Sequence, residues 1–188
     1  LRGIVVAAVD PELLGEVVSA GRARGAATIL VDTEPRLPAP GQLSLPTGNF
    51  VIGDDVTDAA LDSRATDAPI PDPELHAISI ADAIRTGKPT LVIFATPVYC
   101  QSQFCGPVTD VVSGIAADYA GRANFVHVEI WKDFTTQQIN DAASEWLYRN
   151  GDLTEPWLFL IGADGTIIDR WTPLFDEAEV RAELEAAL

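Results

Sequence analysis

The stretch Phe94-Ala-Thr-Pro-Val-Tyr-Cys-Gln-Ser-Gln-Phe-Cys-Gly-Pro-Val108 contains both cysteines of the 188-residue chain, Cys100 and Cys105. It follows a buried-strand pattern, Thr90–Ala95 (TLVIFA), and leads into helical apolar spacing up to about Tyr119. Two thiols this close in sequence fit three kinds of site. They are a redox pair, a peroxide-attacking thiol with its resolving partner, and a small structural disulfide.

Helix geometry limits where the two cysteines can lie. Residues five apart in an α-helix have Cα atoms about 8–9 Å apart, whereas a disulfide usually spans about 4.4–6.8 Å. Cys100 and Cys105 therefore cannot both lie in regular helix and form a disulfide. Pro107 suits the first turn of a helix. We therefore expect Cys100 to precede the helix, and regular helix to begin no earlier than about Gln103.

Strand and helix patterns alternate regularly from Ile78 to the end of the chain. The predicted elements after the cysteine segment are a strand at Phe125–Trp131, a helix around Gln137–Arg149, strands at Trp157–Ile161 and Thr166–Trp171 flanking an Asp-Gly turn, and a helix from about Asp176 to Leu188. A helix capped by Ser79 and running through Arg85 precedes the first strand. This order predicts parallel strands joined by helices, followed by an antiparallel hairpin.

The first 77 residues have a different character. The runs Gly3–Val9 and Ala27–Val31, with a helix begun by Asp10-Pro11 between them, predict a β-α-β appendage over residues 1–45. Residues 46–77 are rich in Pro, Gly, Asp and Thr and predict a linker or wrapping loop, with Phe50–Ile52 as a strand-like run. The remaining residues, 78–188, form the main predicted domain.

The charge of the chain argues against several partners. It has 28 acidic against 12 basic residues, a net charge of -16, which repels nucleic acid and anionic membranes. No apolar run approaches the roughly 20 residues that cross a bilayer, so we expect no membrane insertion by this segment. The two histidines and two cysteines lack zinc-site spacing, and no phosphate-binding glycine loop is present. We therefore expect no metal and no cofactor, and His76 is expected at the surface.

Three features together resemble the thioredoxin-like superfamily over about Ile78–Leu188. They are the strand–cysteine–helix order, the run GKPTLVIFAT, and Glu155-Pro156 immediately before the WLFLI strand. The resemblance implies an α/β fold with a mixed central sheet and flanking helices, to which the β-α-β appendage is added. It also implies that Glu155-Pro156 is cis, faces the cysteines and binds substrate. The cysteine spacing departs from the superfamily, which has C-x-x-C where this chain has C-x-x-x-x-C.

The resemblance implies thiol–disulfide exchange with protein thiols or disulfides. Cys100 is expected to attack, because it comes first after the strand, and Cys105 is expected to resolve. The run Phe104-Cys-Gly-Pro-Val108 also resembles the thioredoxin box with its second cysteine replaced, and that alignment would make Cys105 the nucleophile. The sequence leaves both assignments open.

The proton-handling groups of the superfamily are replaced in this chain. Its buried acid and neighbouring lysine align with Val92 and His127. His127 is therefore the candidate proton acceptor, with a purely structural histidine as the alternative. Glu129, on the same predicted face, is a second candidate.

Two other functions remain open at this stage. A peroxiredoxin-type thiol peroxidase would carry a threonine three residues before the attacking cysteine and an arginine that holds peroxide. Here Thr96 lies four residues before Cys100, and Glu155-Pro156 stands where that arginine is expected. A non-catalytic thioredoxin-fold binding module fits the missing acid and the wider spacing. Analogy with bacterial members that carry an extra N-terminal segment predicts an extracytoplasmic location, secreted or in the cell envelope.

Overall fold

The computed structural model describes residues 37–100, 103–149, 151–172 and 175–188. The chain divides into two compact units, Leu1–Arg36 and Leu37–Leu188, and the described residues belong to the second. The predicted β-α-β appendage falls outside the described residues, apart from its last part, 37–45. The domain boundaries at 45 and 77 stay predictions.

The second unit contains short and long helices arranged around two sheets. The helices are α1 (Asp58–Leu61), α2 (Ile80–Ala83), α3 (Cys105–Asp118), α4 (Asp141–Leu147) and α5 (Glu177–Ala187), with 3-10 turns at Ser63–Ala65 and Pro73–His76. The strands are β1 (Thr90–Phe94), β2 (Asn124–Val128), β3 (Trp131–Asp133), β4 (Gln138–Ile139), β5 (Trp157–Ile161) and β6 (Ile167–Trp171). No helix within the described ranges has the length and apolar character that a membrane span requires.

The main sheet is mixed, as predicted. Its strand order is β2-β1-β5-β6. Strand β1 runs parallel to β2 and antiparallel to β5, and β5 pairs antiparallel with β6. The turn between β5 and β6 contains Gly165 at φ 83°, a left-handed conformation that glycine adopts without steric cost. The predicted Asp-Gly hairpin is therefore confirmed.

Two apolar layers cover the two faces of this sheet. Because successive strand side chains point to opposite faces, Val92 and Phe94 pack towards α2 and α4, whereas Leu91 and Ile93 pack towards α3 and α5. On β2, Phe125 packs in the second layer and Val126 in the first. The alternation places His127 on the face that carries α3.

Two predicted elements end or begin differently from expectation. The predicted strand 125–131 stops at Val128 because the buried Glu129 side chain accepts hydrogen bonds from the backbone of Ile130 and Trp131, at 2.9 and 3.3 Å. These N–H groups are then not available to a neighbouring strand. The prediction of a helix from Gln137 was also wrong at its start, since β3 and β4 form a hairpin before α4 begins. Within residues 37–100, Phe50–Ile52 forms no strand.

Residues 37–77 pack closely against the main domain. Leu37 belongs to the apolar layer formed with α2 and α4, and Leu75 belongs to the layer formed with α3 and α5. The Thr47 hydroxyl accepts a hydrogen bond from Trp146 Nε1 at 2.8 Å and donates one to Glu145 at 2.6 Å. Of the two predicted alternatives for 46–77, this packing favours a wrapping loop.

Replacing Thr47 with valine is expected to destabilise the domain by about 1–3 kcal/mol, because the buried Trp146 Nε1–H would lose its acceptor. Urea unfolding followed by tryptophan fluorescence measures the change. Thr57→Val is the matched control, since Thr57 is exposed and its side chain caps no helix. Equal stability of the two variants would show that the Thr47–Trp146 hydrogen bond contributes little to stability.

Candidate functional site

Cys100 and Cys105 form a disulfide, with their Cα atoms 6.2 Å apart. Cys105 is the first residue of α3, and Cys100 lies in the loop before it, as helix geometry requires. The pair is asymmetric in its exposure: Cys105 is fully buried beneath the start of the helix, whereas Cys100 is only partly buried. Of the two cysteines, Cys100 is therefore the more accessible to a partner molecule.

A carboxylate lies against the buried sulfur. Glu155 Oε2 is 3.9 Å from Cys105 Sγ, and it accepts a hydrogen bond of 2.8 Å from the backbone N–H of Thr96. The Glu155–Pro156 peptide bond is cis, and Pro156 is buried at the start of β5. Glu155 therefore joins the loop that follows β1 to the first residue of α3.

Burial raises the pKa of Glu155 from 4.5 to about 7. The negative charge of Glu129 raises it further, whereas the Thr96 N–H and the charge of His127 oppose the shift. A carboxyl group with a pKa near neutral can both donate and accept a proton at physiological pH. Glu155 is therefore suited to exchange a proton with the sulfur beside it.

Glu129 is a second buried acid, and its charge acts on Glu155. Its Oε2 accepts a hydrogen bond from the backbone N–H of Ser63 at 2.9 Å, while Oε1 accepts from Ile130. Burial raises the pKa of Glu129, although the charge of His127 works in the opposite direction. Because both oxygens accept hydrogen bonds from backbone groups, Glu129 links Ser63 to the residues that follow β2.

Asp62 is the centre of a buried polar cluster. Its carboxylate is fully buried. Oδ1 accepts a hydrogen bond from Arg64 Nε at 3.0 Å, and Oδ2 accepts one from Arg64 Nη2 at 2.7 Å. His127 Nδ1 and His76 Nε2 lie 3.3 and 3.4 Å from the same Oδ2. Burial alone would raise the pKa of Asp62, but His127, His76 and Arg64 hold it well below its ordinary value. Asp62 is therefore ionised.

The pKa values of the two histidines in this cluster shift in opposite directions, although burial lowers both. Burial lowers the pKa of His76, and the neighbouring His127 lowers it further. Burial also lowers the pKa of His127, but Asp62 outweighs that effect and raises it above its ordinary value. The rings meet edge to face, with centroids 5.1 Å apart. The expectation that His76 is a surface residue was wrong, because residues 62–76 fold back and bury it against β2.

The predicted site residues separate into two groups in the structure. Cys100, Cys105 and Glu155 come together, with Pro156 next in the chain. His127 lies on the same face of the sheet, but its nitrogens face the Ala95 carbonyl, at 2.9 Å, and Asp62. The carboxyl group at the sulfur is thus Glu155, which the sequence suggested only as a substrate-binding residue. Asp62 and Arg64 carried no recognisable sequence signal.

Exposed apolar side chains surround the partly exposed cysteine. Val98 and Phe104 flank it along the chain, and both are exposed. Tyr99 stacks on Phe134 of the β3–β4 turn with ring centroids 3.9 Å apart, and Phe134 is also exposed. This surface can contact apolar groups of another molecule.

Two groups within the described ranges bring three potential metal-ligating atoms within 4.8 Å of one another. One is Cys100, Cys105 and Glu155, but its sulfurs are bonded to each other, which leaves only the carboxylate as a ligand. The other is Asp62, His76 and His127, in which all three side chains are buried.

No protein-family model and no curated protein matches the chain. Among solved structures, DsbF of MTB in mixed oxidised and reduced forms is 19% identical over 54% of this chain and 82% of DsbF, with a TM-score of 0.42. The exposed lipoprotein thioredoxin Etrx1 of Streptococcus pneumoniae TIGR4 is 13% identical over 56% of this chain and 88% of Etrx1, with a TM-score of 0.38. A thiol:disulfide interchange protein of the thioredoxin family from Chlorobium tepidum TLS is 18% identical, over 84% of this chain and 99% of that protein, with a TM-score of 0.39.

The architecture of the chain itself identifies its fold. Helices cover both faces of a sheet in which β1 lies between a parallel β2 and an antiparallel β5, and the cysteines follow β1 directly. The described part of the second unit therefore has the topology of a thioredoxin-like fold, with a disulfide-bonded cysteine pair after β1.

Proposed function

We propose that this protein exchanges thiols and disulfides with protein partners through Cys100 and Cys105. The observation that carries the proposal is the asymmetric disulfide at the start of α3. Cys100 is approachable, Cys105 is buried, and the carboxyl group of Glu155 lies 3.9 Å from the Cys105 sulfur. A purely structural disulfide needs no proton-exchanging group beside it.

In the oxidising direction, a thiolate of the partner attacks Cys100 Sγ. The Cys100–Cys105 bond breaks, a mixed disulfide forms, and Cys105 leaves as a thiolate that takes a proton from Glu155. A second partner thiolate then attacks the partner sulfur of the mixed disulfide. The partner leaves with its own disulfide, and Cys100 remains as a thiolate.

The reverse sequence reduces a partner disulfide. The Cys100 thiolate attacks the partner disulfide, Glu155 removes the proton from Cys105, and the Cys105 thiolate displaces the partner from Cys100. The start of α3 favours a thiolate, because the helix dipole places positive potential there. Both directions use the same three residues, and the redox potential of the partner decides which one runs.

Protein partners fit the surface around Cys100 better than small thiols do. Val98, Phe104 and Phe134 are exposed apolar side chains near the cysteine loop, and such groups gain free energy when a second chain covers them. We assign Glu155 and Pro156 to partner binding as well, since they border the same loop. The net charge of -16 disfavours acidic partners and nucleic acid.

We also propose that the protein works outside the cytoplasm, in the cell envelope or secreted. The disulfide form of the cysteine pair is stable in such oxidising compartments. Trapping free thiols in intact cells with a maleimide reagent, followed by fractionation, tests this location. Recovery of the chain in the cytosolic fraction with both cysteines reduced would contradict it.

Peptide mapping by mass spectrometry after equilibration in glutathione redox buffers tests the exchange function directly. We expect Cys100 and Cys105 to interconvert between dithiol and disulfide, and reduced chain to reduce insulin with turnover. A pair that resists reduction and shows no turnover would instead support the non-catalytic binding module. Rapid consumption of hydrogen peroxide by the reduced chain would support the peroxidase.

Glu155→Gln is expected to change how stability depends on pH. The pKa of Glu155 is raised in the folded chain, so the folded state binds its proton more tightly than the unfolded state does. The stabilisation that Glu155 contributes is therefore present at low pH and is lost as the pH rises from about 4.5 to about 7. Between pH 5 and pH 8 the free energy of unfolding of the parent chain should fall by about 1–2.5 kcal/mol more than that of Glu155→Gln. This range allows for the partial exposure of the Glu155 side chain.

Urea unfolding of both oxidised chains at pH 5 and pH 8 measures this difference. Glu74→Gln is the matched control, because Glu74 is exposed and lies away from the cysteines. The charged groups that act on Glu155 are Glu129 and His127, and both are present in every chain compared. If Glu155→Gln loses as much stability as the parent chain does, Glu155 does not hold a proton near neutral pH.

A further inference from the structure

A second cluster, separate from the cysteines, has the geometry of a metal site. Asp62 lies at the start of the first 3-10 turn, His76 at the end of the second, and His127 on β2. All three side chains are fully buried, and one ligand atom from each lies within 4.8 Å of the other two. Residues distant in sequence have thus been brought together with their donor atoms facing one another.

The distances match those between neighbouring ligands of one ion. Nitrogen and oxygen ligands at about 2.0–2.1 Å from a tetrahedral Zn²⁺ lie about 3.3–3.4 Å from each other. The Asp62 Oδ2 atom is 3.3 Å from His127 Nδ1 and 3.4 Å from His76 Nε2. Both nitrogens are buried, and neither makes a hydrogen bond of regular geometry within the described ranges. Each of these nitrogens could therefore serve as a ligand when its ring is neutral.

The other nitrogen of His127 supports the same arrangement. His127 Nε2 lies 2.9 Å from the Ala95 carbonyl oxygen, which can only accept a hydrogen bond, so Nε2 carries a proton. In the neutral ring this leaves Nδ1 with a lone pair to offer to an ion, which would take the place of the second proton. Metal-binding histidines usually donate their second nitrogen to a backbone carbonyl or a carboxylate in this way.

Arg64 does not make the cluster too positive for a cation. Its guanidinium contacts three carboxylates, those of Asp62, Asp72 and Asp110, at 2.7, 3.0 and 3.2 Å. Glu129 adds a further buried acid two residues from His127. Acids thus outnumber the permanent cation around the cluster, and the Arg64 bonds fix the orientation of the Asp62 carboxylate.

We propose that Asp62, His76 and His127 bind one divalent ion of the first transition series, of the Zn²⁺ type. Two imidazoles and one carboxylate are ligands that such ions accept, and they leave one tetrahedral position for water. The ion would join the segment before the sheet to β2. This site shares no ligand with the residues proposed for thiol–disulfide exchange, so either proposal can fail without the other.

The test uses the full chain with its disulfide intact. Because the three side chains are buried, the chain is unfolded in urea and refolded with Zn²⁺ alone, desalted, and assayed for metal per chain. We expect about one Zn²⁺ per chain and, by X-ray absorption, a first shell of nitrogen and oxygen at about 2.0–2.1 Å without sulfur. No retained Zn²⁺, or a first shell that contains sulfur, overturns the proposal.

Two variants locate the ion. His76→Gln removes one ligand and is expected to lose the retained Zn²⁺, whereas the double variant Cys100→Ser/Cys105→Ser is expected to keep it. Zn²⁺ retained by His76→Gln, or lost from the double serine variant, contradicts the assignment. If His76→Gln does not fold, Co²⁺ in the parent chain decides. Intense visible absorption without a thiolate charge-transfer band supports the three ligands, and its absence rejects them.

Discussion

Cys100→Ser is expected to lower the rate of thiol–disulfide exchange by about 10³-fold or more, close to the uncatalysed rate. The substitution removes the sulfur that a partner can reach, and Cys105 is fully buried at the start of α3. A serine hydroxyl is not ionised near neutral pH and forms no mixed disulfide. Insulin reduction, assayed with chemically reduced chain, measures the loss.

Cys105→Ser is the matched control for the roles of the two cysteines. It leaves Cys100 able to attack but removes the resolving thiol, so a mixed disulfide with the partner should accumulate on Cys100. Mass spectrometry of the trapped adduct identifies the attacking residue. Trapping on Cys105 in the Cys100→Ser variant, with none on Cys100 in the Cys105→Ser variant, would show that the roles are reversed.

Asp62→Ala is expected to lower the free energy of unfolding by about 3–5 kcal/mol, which is the usual cost of removing one partner from a buried ion pair. The Asp62 carboxylate is fully buried and balances Arg64 at 2.7 Å. Without it, Arg64 and the ring of His127 would lose the negative charge that faces them. Most of the cost comes from the groups left behind rather than from the lost bond itself.

Urea unfolding in buffer with a chelator measures this cost in the absence of any bound metal ion. Asp118→Ala is the matched control, since Asp118 forms an ion pair with Arg181 at 2.9 Å on the surface, and such pairs contribute about 0–1 kcal/mol. A loss in Asp62→Ala no larger than that in Asp118→Ala would mean that the buried cluster adds little to stability. The presence of the buried cluster would then have to be explained by a functional role and not by stability.

The cysteine loop shows what local sequence can predict. The limit on disulfide span placed Cys100 outside regular helix, and the structure begins α3 at Cys105. Strand and turn patterns likewise gave the antiparallel pairing of β5 and β6. In each case the deciding interaction lies within a few residues along the chain, so the residues themselves carry the signal.

The buried cluster shows what local sequence could not predict. Asp62 and His76 lie in a stretch rich in Pro, Asp and Thr, which is the composition of an exposed loop. Their burial depends on His127 and Glu129, which come more than fifty residues later in the chain. Neither the spacing of residue types nor hydrophobic periodicity indicates a contact between residues so far apart in the sequence. For the same reason Glu155 was not recognised as the carboxyl group beside Cys105.

The wrapping of residues 37–77 over the later domain has a consequence for synthesis. These residues leave the ribosome before the sheet does, yet Thr47 forms a hydrogen bond with Trp146, 99 positions later, and Ser63 forms one with Glu129, 66 positions later. Folding is slower when contacts must form between residues so far apart in the sequence. Until β2, α3 and α5 have emerged, Leu75 has no apolar layer to join, so the growing chain exposes surface that chaperones recognise.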